Sequence, residues 1–204
     1  MIKYSSNSML ALRVSFANEI GNICKRLGIN TNEVLYGIGL DKRIGPYFLR
    51  PGIGFGGSCF PKDLDALISI ARIHGYNPDL LQATLEVNKK QPQKILEILE
   101  KHEPIKNKRI GVLGLTFKDN TDDIRESPAI EIIKNLLHEG VKINAYDPLG
   151  MEKVKEIYPN INYKNRPQEV IKDSDIILIL TEWKDFINLD YGNKPVIDGK
   201  SVFY

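Results

Sequence analysis

The spacing of apolar residues changes its period near Pro104, and that change limits the folds open to this chain. Before it, Met9, Leu10, Val14, Phe16, Ala17, Ile20, Ile23 and Leu27 recur at helical spacing, and Gly28 ends the run as a C′ residue does. A short helix capped by Thr31 follows, then a loop from Gly37 to Gly57 rich in Gly and Pro, and a helix from Lys62 to His74. After Gly75, Asn77-Pro78 opens a long helix in which Pro92 predicts a kink. Past Pro104, strands alternate with helices. Arg109 to Leu115 is a buried strand, Ser127-Pro128 caps a helix that Gly140 ends, and Val141 to Tyr146, Asp175 to Leu180 and Pro195 to Ile197 read as further strands. The expected architecture is α/β: an all-helical dimerisation lobe over residues 1–104, then a Rossmann-like parallel-sheet lobe over 105–204, joined by the long helix. Two cores suit 204 residues of which 42% are apolar.

Charge narrows the partners. The formal net charge of +2 comes from interleaved acids and bases, with no basic run and no aromatic-basic alternation, so neither nucleic acid nor a membrane surface is expected. Met1-Ile2-Lys3-Tyr4 has no secretory pattern, and no apolar run is long enough to cross a bilayer. The two cysteines show no metal or disulfide spacing, which fits a reducing cytoplasm and argues against a metal site. His74, His102 and His138 fall near helix C-termini, as surface residues do.

One of the cysteines sits where chemistry is usual. Gly54-Phe55-Gly56-Gly57-Ser58-Cys59-Phe60-Pro61-Lys62-Asp63 sets a thiol on a glycine-rich turn just ahead of a helix. A helix start with a lysine beside it is an electropositive place, the kind in which nucleophilic cysteines are found. Asp63, four residues on, stacks over Cys59 and can orient a water or accept a proton. On local sequence alone Cys59 is also readable as a small apolar filler, which is how Cys24 reads, lying on the stripe of Leu12, Phe16, Ile20, Ile23 and Leu27. The Gly37 to Gly57 loop carries Arg43, Tyr47, Phe48, Arg50 and Phe55, a mixture suited to holding a ligand.

The second lobe lacks the Gly-x-Gly-x-x-Gly fingerprint of dinucleotide binding. Gly111 and Gly114 are spaced Gly-x-x-Gly, and such a pair after a strand also simply permits close strand-to-helix packing. Lys118 could meet a phosphate or sugar hydroxyl at the carboxyl edge of the sheet. Arg125 is the other cation of that loop and is equally readable as a solvated partner of Asp122 or Glu126.

Several motifs occur together and in order: Lys3-Tyr4-x-x-Asn7, Phe16-x-Asn18-Glu19, Gly39-x-Asp41-x-Arg43-Ile44-Gly45, the Gly54 to Asp63 segment, Gly114-x-x-Phe117-Lys118 and Asp123-x-Arg125-Glu126-Ser127. By these the chain resembles the UDP-glucose 6-dehydrogenases, within the wider UDP-sugar 6-dehydrogenase family. Phe55 and Ser58 favour glucose over N-acetylated sugars. The resemblance implies oxidation of the C6 alcohol of UDP-glucose to UDP-glucuronate, with two hydrides passed to two NAD molecules. It implies that Cys59 attacks the aldehyde stage to give a thiohemiacetal, then a thioester that water hydrolyses. Lys3 and Asn7 match the residues that stabilise the oxyanion, and Asp63 the carboxylate that moves the proton and positions water. Phe48, Arg50, Phe55 and Lys118 fall where relatives hold the UDP-sugar, Arg43 where a neighbouring subunit contributes a cation, and Arg125 where the C-terminal lobe touches NAD. The first helices resemble a dimer core, so a homodimer is expected.

Members of the family begin with a complete NAD-binding domain, and this sequence starts where that domain hands over to the helical core. The expectation is a truncated or split product whose main NAD site lies outside the chain, with a separate NAD-binding domain as a possible partner and no turnover by the chain alone. Near the end, Lys200 or Ser201 stands where many relatives place an arginine. The alternative is a non-catalytic UDP-sugar-binding and dimerisation module; a cysteine hydrolase would need a histidine partnered with Cys59, and none lies in a suitable loop.

Overall fold

A computed structural model describes residues 1–102 and 105–203. The boundary expected at Pro104, the Tyr204 end of the second lobe and the side chain of His102 lie outside the described residues. The rest divides into two compact units, Met1–Gln91 and Pro92–Phe203.

The first unit holds α1 (Ile2–Leu27), α2 (Thr31–Gly39), α3 (Phe60–Ile73) and the opening turns of α4 (Asp79–His102), which runs on without interruption through Pro92. Gly28 ends α1 in the left-handed region at φ 68, and its N–H donates to the Cys24 carbonyl. Asn30, not Thr31, caps α2: its side chain accepts from the backbone of Asn32 and Glu33, and Thr31 is already in the first turn. The face α1 turns into its own unit is built from small residues, Ser8, Ala11, Ser15, Asn18, Gly21 and Cys24. Cys24 is buried, as its reading as apolar filler expects, while Phe16, Ile23 and Leu27 of the same stripe are exposed. Small residues win the buried face since neighbouring backbone comes close: a Cβ on Gly21 would sit 3.1 Å from Pro51, and Ser15 Oγ donates to the Thr84 carbonyl at 2.8 Å. Leu64 and Ile68 of α3, Leu85 of α4, Ala11 and Phe55 form the core beyond.

The second unit is a five-stranded, wholly parallel sheet in the order β3-β2-β1-β4-β5. Its strands are β1 (Arg109–Leu113), β2 (Lys142–Tyr146), β3 (Asn162–Tyr163), β4 (Ile176–Ile179) and β5 (Val196–Asp198). The helices are α5 (Pro128–His138), α6 (Met151–Ile157) and α7 (Pro167–Asp173). β3, α6 and α7 were not among the expected elements: two strand residues and seven-residue helices are too short to establish a period. All of β4 is buried, as a central parallel strand between helical layers must be. The glycine pair has a packing role: a Cβ on Gly111 would lie 2.9 Å from Val170 of α7, and one on Gly114, at φ 94, would lie 2.6 Å from the Thr181 backbone nitrogen. Ser127 precedes α5 as expected, but its hydroxyl donates to the Leu115 carbonyl at 3.0 Å instead of closing the helix end. Among the described residues no helix is long and apolar enough to cross a membrane.

Candidate active site

Cys59 occupies the N-cap position of α3 and is exposed. The helix begins one residue before Pro61, which takes the second position of the first turn. Asp63 N–H donates to the Cys59 carbonyl at 2.9 Å, so the expected i to i+4 relation of thiol and carboxylate holds in the backbone. Asp63 is fully buried, unusual for a carboxylate without a complete set of partners. Its Oδ2 accepts from Asn7 Nδ2 at 2.6 Å and lies 3.4 Å from Lys3 Nζ, while Oδ1 is buried with no hydrogen-bond partner among the described residues. Lys3 and Asn7 stand one turn apart on α1, and the packing of α1 on α3 brings both onto the same carboxylate.

The Asn7 amide beside Asp63 holds its carboxyl below the usual carboxylate range, against the opposing effect of burial and with smaller help from Lys3 and Lys62. Because the folded value lies below the unfolded one, this contribution to stability is in force above about pH 4 and is lost as pH falls through the lowered value. Asn7→Ala removes the largest favourable influence and leaves burial, so Asp63 is expected to titrate at higher pH. Carbon NMR of the Asp63 carboxylate reads this directly; an unchanged titration would show that Asn7 does not govern the group.

Three side chains that sequence reasoning did not single out for the site hold the glycine-rich loop. Arg13 of α1 donates to the carbonyls of Ile44, Gly45 and Tyr47 at 2.7, 2.7 and 2.8 Å. Asn18 Oδ1 accepts from Gly52 N–H at 2.6 Å, and Asn88 of α4 clamps the backbone of Phe55. Asn18 stood in a quoted motif without a role, and Arg13 carried no signal at all. Phe48, next to the Arg13 anchor, has φ 60, an uncommon conformation for a bulky residue. Its ring lies 6.1 Å from Phe60, which in turn meets Phe55 edge-on at 5.7 Å. Phe55 is thus mainly a core residue on this structure, 8% exposed.

Arg43 pairs with Asp41, its Nη2 donating at 2.5 Å and its backbone N–H at 2.9 Å, and Arg50 is exposed. On the second unit Arg125 repeats the Asp-x-Arg arrangement with Asp123, Nη2 donating at 2.7 Å and the backbone N–H at 2.9 Å. Lys118 is exposed, and its carbonyl accepts from the Thr116 hydroxyl at 2.8 Å. Lys200 Nζ reaches Glu182 at 3.2 Å and the Phe117 carbonyl at 3.3 Å, beneath the loop that carries Lys118. His74 and His138 are exposed.

Asp147 follows directly after β2. It is fully buried: Oδ2 accepts from Leu115 N–H at 2.8 Å, Thr116 N–H at 3.3 Å and Trp183 Nε1 at 3.1 Å, and Oδ1 from Leu149 and Gly150 N–H at 2.9 and 2.7 Å. In a dinucleotide-binding sheet an acid here would face a ribose; in this unit it ties together the loops that follow β1, β2 and β4. With both glycines engaged in packing, the residues present do not fit a dinucleotide site of the usual kind.

Comparisons with known proteins give the family. The central-domain model of the UDP-glucose/GDP-mannose dehydrogenase family matches residues 1–90, and the model of the family's UDP binding domain matches residues 111–204. UDP-glucose 6-dehydrogenase AglM of Haloferax volcanii is 45% identical over 207 residues, covering 99% of this chain and 48% of that protein. A UDP-glucose 6-dehydrogenase of Rickettsia bellii is 47% identical over 197 residues, covering 94% of this chain and 45% of that protein. Among solved structures, a UDP-glucose dehydrogenase from the hyperthermophilic archaeon Pyrobaculum islandicum superposes with a TM-score of 0.94 at 41% identity, over 98% of this chain and 47% of that one. The chain belongs to the UDP-glucose/GDP-mannose dehydrogenase family. It spans about half the length of the curated relatives it matches.

Proposed function

We propose that this chain is the catalytic-thiol and UDP-sugar-binding portion of an NAD-dependent UDP-glucose 6-dehydrogenase. The observation that carries the reading is the convergence of Lys3 and Asn7 on the buried Asp63, one helical turn beyond an exposed Cys59. NAD supplies the hydride acceptor when bound, and its main site is assigned to residues outside this chain. What the chain contributes is addition to the aldehyde stage. Cys59, having given its thiol proton to solvent, forms a bond from Sγ to C6, the carbonyl π pair moves onto oxygen, and the resulting charge is met by the Lys3 ammonium and the second amide proton of Asn7. Asp63, kept ionised by Asn7 and Lys3, has one oxygen left to hold and deprotonate a water for hydrolysis. On the first unit Phe48, Arg50 and Phe55 are proposed as UDP-glucose contacts; on the second unit, taken by itself, Lys118 is proposed as a UDP-sugar contact and Arg125 as an NAD contact. The setting is cytoplasmic.

The reading is tested with the 6-aldehyde of UDP-glucose labelled with carbon-13 at C6. An adduct at Cys59 seen by NMR is expected, and its absence at saturating aldehyde would overturn the assignment.

A homodimer accompanies this role. Ile2, Met9, Phe16 and Ile23 recur every seven residues along α1 and are 88, 58, 45 and 48% exposed, a row that a second copy can cover. Light scattering at micromolar concentration is expected to give twice the chain mass, with Arg43 of one copy reaching the site of the other; a monomer would refute it.

A further inference from the structure

The turn that presents Cys59 has a second support that the reaction itself does not require. Asn88 Oδ1 accepts from Phe55 N–H at 2.7 Å and its Nδ2 donates to the Phe55 carbonyl at 2.9 Å, so one side chain holds both peptide units that flank Phe55. The loop has come as close to Asn88 as a backbone can. Gly54 stands at φ 104, and a Cβ there would fall 2.8 Å from Asn88 Oδ1, which leaves glycine as the residue that fits. From Phe55 the chain makes the Gly56-Gly57 turn, with Gly57 at φ 80, reaches Cys59, and returns through Phe60, whose ring rests on Phe55 at 5.7 Å. Both ends of the thiol-bearing turn therefore rest on one clamped residue.

We propose that Asn88 is a positioning residue for Cys59, setting where the sulfur stands relative to the reacting carbon without touching substrate. The inference rests on the role of Cys59 proposed above. Loss of the clamp frees two peptide units beside a glycine turn, so the sulfur samples positions from which bond formation is disfavoured. Of the residues assigned to UDP-glucose, Phe55 is the one whose backbone the clamp holds in the described hydrogen bonds, and its ring keeps the packing on Phe60. Binding and addition should then separate.

The experiment compares the 204-residue chain with Asn88→Ala and Asn88→Asp. UDP-glucose affinity is measured by calorimetry, and the Cys59 adduct with the labelled 6-aldehyde by NMR. Asn88→Ala is expected to weaken the adduct equilibrium by about tenfold, less than the roughly hundredfold that a misplacement of about 1 Å can cost, with UDP-glucose affinity within about threefold. Asn88→Asp keeps the acceptor for Phe55 N–H and loses the donor, so it is expected to fall between. Should the alanine variant fail to fold, the aspartate variant carries the comparison. Equal adduct formation in folded variant and wild type overturns the positioning role and leaves the role of Cys59 standing. A parallel loss of affinity and adduct also overturns it, by making Asn88 merely structural. No adduct in the wild type removes the reading of Cys59, and the inference falls with it.

Discussion

Cys59→Ser is expected to abolish the adduct with the 6-aldehyde of UDP-glucose while leaving UDP-glucose affinity nearly unchanged. The substitution keeps the size of the side chain and its place ahead of α3, and exchanges a good nucleophile for a poor one. Among the described residues nothing else nearby can replace it. The other thiol, Cys24, is buried on α1, and Ser58, whose Oγ lies 3.9 Å from the Cys59 sulfur, offers another hydroxyl. An adduct that survives would remove the cysteine from the chemistry. Loss of binding together with loss of adduct would mean that Cys59 shapes the sugar pocket, which is the outcome a non-catalytic binding module predicts.

Asp147→Ala is expected to cost the second unit about 4 kcal/mol, since each buried donor deprived of its acceptor carries a penalty of roughly 1–3 kcal/mol and relaxation with water entry recovers part of it. Four backbone N–H groups and the Trp183 indole end on this one carboxylate. The loss is a large fraction of the roughly 5–15 kcal/mol by which a domain is stable. Asp147→Asn separates shape from chemistry: it has the same outline but turns an amide donor toward groups that also donate, so it is not expected to restore stability. Urea denaturation checks both, and an asparagine variant as stable as wild type would sink the argument. On the role proposed for Lys118 the effect reaches function, because Thr116, held by Asp147 through its N–H, donates its hydroxyl to the Lys118 carbonyl. Loosening Asp147 should weaken UDP-sugar binding before the unit unfolds.

Local features were legible in the chain itself. Gly28 as a helix end, the buried β4 run and the placing of Cys59 one turn before Asp63 each depend on residues a few positions apart, and the backbone follows them directly. The apolar stripe of α1 was legible as a helix but not as to its burial. Periodicity tells which residues share a face, and only packing tells whether that face meets this chain or another. Arg13 on the 44–47 carbonyls, Asn88 on Phe55 and Asp147 under the Leu115 and Thr116 amides act across sequence separations of 31 to 34 residues. The chain by itself thus determined the helix-then-sheet order and the placing of a thiol just ahead of a helix, since both follow from short-range spacing. The tertiary structure alone decided which carboxylate receives Lys3 and Asn7 and which polar side chains hold the loops, because a hydrogen bond depends on where two groups meet in space and leaves no period in the sequence.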